Sequence, residues 1–265
     1  MSALAPAPAQ TYSSRLVRSG SLLADSRIYL REWDDRRSAR ENLIHFREVN
    51  VLAKRSRSRA DGILAELRRR FPLDRMDTTS RLALLRFVKE VPSSKAVDKV
   101  LAYHAAKSDP LLYDFITAHL SRLYALGERH VTLADTVTFL REAEGRGPTT
   151  RTWSRTTLAA LARGLLAAAK DFGLLSGRRR KVFASPELPL EAFLYVMYRL
   201  RRHASGHSLL MHRDWRLFLL RPNDVEELTA AAARRGLLSY QAVGRTASLG
   251  FPYPDLEVLL DVIAG

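Results

Sequence analysis

The chain has 265 residues, 46% hydrophobic and 27% charged, a composition with enough apolar surface for one large core or two small ones. Its 43 Lys and Arg against 28 Asp and Glu leave a net charge of +15, which points to a polyanionic partner, nucleic acid before anionic membrane. The absence of cysteine excludes a disulfide scaffold, Cys-ligated zinc, iron–sulfur clusters and thiol catalysis.

Met1 to Gln10 is Ala/Pro-rich and reads as a flexible tail, with neither the charged start nor the apolar run of a secretory signal. From Ser13 onward the apolar residues follow the helical period. Ser21 to Trp33 predicts a first helix, and Ser38 with Glu41 is a capping box opening a second. The basic run Lys54-Arg55-Ser56-Arg57-Ser58-Arg59 leads into a helix with Ala60, Ile63, Leu64, Leu67 and Phe71 on one face. Arg68-Arg69-Arg70 suit its negative C-terminal dipole, and Pro72 stops it. Thr79–Val91 and Ser94–Lys107 read as two further helices. Asp109-Pro110 pairs an N-cap with a first-turn proline.

Thr132 with Asp135 caps the next helix, which ends near Glu144 before the break Gly145-Arg146-Gly147-Pro148. Ser154 caps a helix with Leu158, Leu161, Leu165, Ala169 and Phe172 toward the core, and Thr156, Arg163 and Lys170 on its outer face. A hairpin over Leu174 to Ser185 follows. Leu190–His203 is amphipathic, Asn223 with Glu226 is expected to cap the last long helix, and strands at Leu237–Val243 and Thr246–Phe251 precede a final helix over Asp255–Ile263. No stretch offers the ~20 apolar residues of a membrane span, so no membrane partner and a cytoplasmic location are expected.

One local pattern occurs twice. Ala167-Ala168-Ala169-Lys170-Asp171-Phe172-Gly173-Leu174-Leu175-Ser176 is answered by Ala230-Ala231-Ala232-Ala233-Arg234-Arg235-Gly236-Leu237-Leu238-Ser239. Each reads as a helix closed by a left-handed glycine, then a strand, a turn and a second strand. That is the tail of a winged helix: recognition helix, strand, wing, strand. In the first copy the wing tip holds Arg178, Arg179, Arg180 and Lys181. A recognition helix enters the major groove by its N-terminal residues. Arg155, Thr156 and Thr157 are therefore candidate DNA contacts, with Arg163 and Lys170 further along the face and the four wing cations on the flanking backbone. Lys54, Arg55, Arg57 and Arg59 are candidates for a separate nucleic-acid arm, or else solvated loop charges. The second copy starts with Asp224, Glu226 and Glu227, which suit the helix dipole but repel phosphate. It is expected to be structural or to meet a protein.

Catalysis finds little support. His203, His207 and His212 are separated by a Ser-Gly break and lack a carboxylate cluster. Asp34-Asp35 has no third ligand nearby, and GxxxxGK[ST], GxGxxG and GxSxG are absent. No enzyme activity, cofactor or metal is expected. The domain boundaries that follow are a tail over 1–12, a helical domain over 13–126, a winged-helix-like segment over 127–186 and a second helical, winged segment over 187–265.

From about Ser13 to Leu200 the chain resembles the BrxA family of bacterial BREX phage-defence systems. The resemblance is carried by Ser19-Gly20-Ser21-Leu22-Leu23 with Ser26-Arg27, Asn50-Val51-Leu52 with Lys54-Arg55-Ser56, Leu111-Leu112-Tyr113-Asp114-Phe115, and Trp153-Ser154 leading to Phe172-Gly173-Leu174-Leu175. It implies a helical N-terminal part likened to the RNA-binding factor NusB, winged-helix character, DNA binding, and work beside a methyltransferase, an ATPase and an alkaline-phosphatase-like protein. The expectation is a mainly α protein with two small hairpins that binds double-stranded DNA through phosphates. A protein–protein adaptor and a NusB-like RNA binder remain as alternatives.

Overall fold

The computed structural model describes residues 11–16, 20–145, 152–243 and 246–264. The expected tail Met1–Gln10 and most of the Gly145–Pro148 break lie outside these residues. The chain is mainly helical with two small antiparallel sheets. Its elements are α1 (Leu23–Arg31), α2 (Ala39–Glu48), α3 (Arg57–Arg70), α4 (Thr78–Glu90), α5 (Ser94–Ser108), α6 (Pro110–Asp114), a π-helical stretch (Phe115–Leu120), α7 (Ser121–Ala125), β1 (His130–Val131), α8 (Leu133–Gly145) and α9 (Arg155–Asp171). Then follow β2 (Leu175–Ser176), β3 (Lys181–Phe183), α10 (Leu190–Leu200), α11 (Gly206–Leu210), a 3-10 stretch (Arg213–Phe218), α12 (Pro222–Arg234), β4 (Ser239–Val243), β5 (Thr246–Gly250) and α13 (Leu256–Ile263).

The helix starts are set by side chains that satisfy the first free backbone N–H groups. The Ser38 hydroxyl accepts from Glu41 N at 3.2 Å while the Glu41 carboxylate accepts from Ser38 N at 2.7 Å. The Asp109 carboxylate accepts from Leu111 N and Leu112 N, both at 3.1 Å. One start differs from expectation. α12 is capped two residues early, by the Asp224 carboxylate accepting from Arg221 N at 2.7 Å, and not by Asn223 with Glu226. Pro222, whose missing N–H costs nothing in the first turn, decides the position.

The chain forms two compact units, each drawn from two stretches. One comprises Leu22–Ala105 and Pro186–Gly265. Its interior includes Tyr29, Trp33 and Phe46, with ring centroids 5.5 to 6.3 Å apart. It also holds a buried polar chain. Tyr103 donates to Asp214 at 2.9 Å, and His104 Nε2 lies 2.8 Å from the Tyr195 hydroxyl. The Arg199 side chain bonds to both tyrosines. Arg199 therefore serves the interior. The β4–β5 hairpin, paired from Ser239↔Gly250 to Val243↔Thr246, belongs to this unit.

The other unit comprises Met1–Ser21 and Ala106–Ser185. Its buried Tyr12 hydroxyl donates to Asp114 at 2.5 Å. Its order is helix, β1, α8, α9, β2, turn, β3. The sheet order is β1-β3-β2, with His130↔Val182 and Leu175↔Phe183 in register. The face of α9 expected in the core is buried throughout, from Leu158 to Phe172. No sequence pattern predicts β1.

Candidate nucleic-acid interface

α9 begins at Ser154, whose hydroxyl accepts from Thr157 N at 3.2 Å. The same oxygen lies 2.8 Å from the Thr156 hydroxyl and 3.0 Å from that of Thr157. Both threonine hydroxyls are thus engaged at the cap. Arg155 is exposed beside them, and Arg163 and Lys170 are exposed further along the same face. The helix is closed by Gly173 at φ 69°.

The turn between β2 and β3 is held by its own residues. Gly177 adopts φ 87°, and a Cβ there would sit 2.1 Å from the Arg180 carbonyl oxygen, so only glycine fits. Lys181 Nζ donates to the carbonyls of Gly177 at 2.9 Å and Arg178 at 3.2 Å. Lys181 therefore supports the turn, while Arg178, Arg179 and Arg180 are exposed on it.

Arg163 and the turn cations line one groove of about 540 Å³. Its other lining comes from β1 and the start of α8, including Val131 and Leu133, and from Leu166 and Ala167 of α9. Arg155, Thr156, Thr157 and Lys170 lie on α9 outside this lining. The contribution of β1 was not legible, because two residues carry no periodicity.

Carboxylates of the chain hold several of its arginines, while Arg40, Arg55, Arg57, Arg234 and Arg235 have no carboxylate partner among the described residues. In the unit containing α1 to α4, Arg27 pairs with Asp98, Arg47 with Asp61, Arg68 with Asp74, Arg81 with Asp35, and Arg202 with Asp77. Arg69 and Arg70 both grip Glu66, and Arg70 is buried. Arg155, Arg163, Lys170, Arg178, Arg179 and Arg180 have no carboxylate partner among the described residues.

The proposed arm is not of one kind. Lys54 is ion-paired to Asp25 at 2.7 Å and its backbone is tied to the Asn50 side chain. Arg57 and Arg59 occupy the first turn of α3 rather than a loop, and with Arg55 they are exposed. All four belong to the other unit from α9. Asp34 is held by Arg36 and Arg37, and hydrogen bonds from Arg36 keep its carboxyl below the usual range. His212 Nδ1 accepts from Asp214 N at 3.1 Å. Among the described residues, no group of three or more His, Asp or Glu is placed to hold a metal ion, and no helix is long and apolar enough to cross a membrane.

A crystal structure of an uncharacterized protein from Magnetospirillum magneticum is similar in fold, with a TM-score of 0.58 and 19% identity, covering 78% of this chain and 97% of that one. At that identity the likeness concerns the fold alone. No curated protein matches the chain. A family model described as BrxA matches residues 10–199, well over half of the sequence. The chain belongs to the BrxA family.

Proposed function

We propose that this protein is a non-enzymatic accessory component of a BREX-type phage-defence system that binds double-stranded DNA, mainly through phosphates. The observation that carries the reading is the set of unpaired arginines on α9 and on the β2–β3 turn of one unit. These arginines have no internal carboxylate among the described residues, and duplex phosphates would supply the anion. The order helix, strand, helix, helix, strand, turn, strand, with sheet order β1-β3-β2, supports a winged-helix reading in which α9 enters a groove. Family membership supports the BREX context and the methyltransferase, ATPase and phosphatase-like protein as neighbours in the assembly.

The test is fluorescence anisotropy with a labelled duplex across a salt series. If about 4–6 phosphates are neutralised, log K falls against log salt with a slope of roughly −4 to −5. Replacing Arg178, Arg179 and Arg180 together by Ala should weaken binding to every sequence alike and make the slope shallower by about one unit for each phosphate no longer neutralised. Arg234→Ala with Arg235→Ala should leave affinity nearly unchanged, because Asp224, Glu226 and Glu227 share their helix. No binding near ~100 mM salt sinks the reading and turns it toward a protein adaptor. Preference for single-stranded or folded RNA turns it toward a NusB-like factor. Plasmid that stays intact with Mg²⁺ or Mn²⁺, and ATP that stays unhydrolysed, are the outcomes expected of a non-enzyme.

A further inference from the structure

The groove beside α9 has a feature that duplex binding does not use. Its cations stand around an apolar floor. Leu133 is 39% exposed there, and Leu166 and Ala167 of α9 line it beside Arg163. A phosphodiester backbone is hydrated and needs positive charge, not an apolar bed. A volume of about 540 Å³ falls within the ~300–1,000 Å³ of small-molecule sites, which are mostly apolar with a few converging polar groups.

We propose that this groove binds a small organic anion: a flat apolar body seated against Leu133 and Leu166, with its carboxylate, sulfonate or phosphate toward Arg163 and the turn arginines. The guanidinium fork matches such oxyanions in two parallel hydrogen bonds. None of these arginines has a carboxylate partner among the described residues, so nothing in the chain must be displaced first. Because Arg163 and the turn arginines are also the residues assigned to phosphate, the small anion and the duplex exclude each other. That exclusion rests on the proposed function; occupancy of the groove does not.

The experiment titrates the full-length protein with 1-anilinonaphthalene-8-sulfonate and follows its fluorescence. N-phenyl-1-naphthylamine serves as the uncharged analogue, and inorganic sulfate at constant ionic strength as the charge alone. One saturable site is expected. Arg163→Ala should weaken it about tenfold, the loss of one charge-assisted hydrogen bond, and Ala167→Glu should weaken it at least as much by setting a like charge beside the anion. Both positions lie on the solvent side of α9, so the melting temperature should hold. Arg202→Ala, in the other unit, should change nothing. Binding that is unsaturable, or equal in all variants, overturns the site. Full displacement by sulfate, or equal affinity for the uncharged analogue, overturns the ligand class. A labelled duplex added to the same samples separates the two ideas. Sulfonate binding without duplex binding leaves the groove standing and removes the proposed function. Duplex binding without a sulfonate site does the reverse, and both binding at once overturns the exclusion.

Discussion

Asp214 is fully buried, and the Tyr103 hydroxyl at 2.9 Å is one of the donors that make its burial tolerable. Removing one donor from a buried acceptor leaves its desolvation cost uncompensated. Tyr103→Phe should therefore lower stability by about 1–3 kcal/mol in urea melts, with little change in shape. Two histidines add a pH dependence. Burial, and secondarily the charge of Arg199, holds His104 well below the ordinary imidazole range; burial also lowers His119. The unfolded chain takes up these protons as pH falls through about 6.5, while the folded chain resists until its lower values are reached. Stability is thus fully present above about pH 6.5 and is lost as pH falls from there through the folded-state values. The melting temperature should fall between pH 7.5 and 5, and the slope should be shallower in His104→Gln. An identical slope in that variant would remove His104 from the account. Neither histidine was legible as buried in the sequence, because each stands alone among residues whose partners are distant.

Helix starts were the most legible elements, because a cap and its partner lie within three residues of each other. Ser38 with Glu41, Asp109-Pro110, Thr132 with Asp135, and Ser154 all cap where expected. The misplacement of α12 arose because Arg221–Asp224 and Asn223–Glu226 share the same spacing, and only Pro222 distinguishes them. Lys181 shows the opposite limit. In sequence it equals its three arginine neighbours, yet its ammonium is spent on two carbonyls of its own turn. The same turn makes Gly177→Ala a sharp test. A side chain there meets Arg180 O at 2.1 Å and a disfavoured φ, at a cost of about 1–3 kcal/mol. We expect the variant to stay folded, since the hairpin is small, but to show weakened duplex binding as the arginines lose their positions. Unchanged binding would mean that turn geometry is irrelevant to the interface.

The helical period forecast a mainly helical chain and the net charge pointed to a polyanionic partner, but neither says how the chain is shared between its units. Local patterns say nothing of which distant segments pack together. Arg86 bonds to Asp261, and Lys95 to Glu187, across long spans of sequence within one unit. Overall charge is also a blunt guide. The excess of +15 is spread along the chain, yet many arginines are neutralised in place, and the unpaired ones on α9 and the β2–β3 turn form the candidate surface. A salt series on the intact protein reads the cations that meet phosphate, so on the proposed reading the slope should report the few of that face rather than the net charge.

The unit formed by Leu22–Ala105 and Pro186–Gly265 has a consequence for synthesis. Its first stretch leaves the ribosome long before its second exists, while the second stretch of the other unit, Ala106–Ser185, is completed in between. The nascent chain must therefore carry Phe87, Tyr103 and their neighbours without their final cover until translation ends. Arrested chains ending at Ser185 should be cut by protease within 22–105 and protected within 106–185. Protection of both stretches would mean that the early segment folds without its later half.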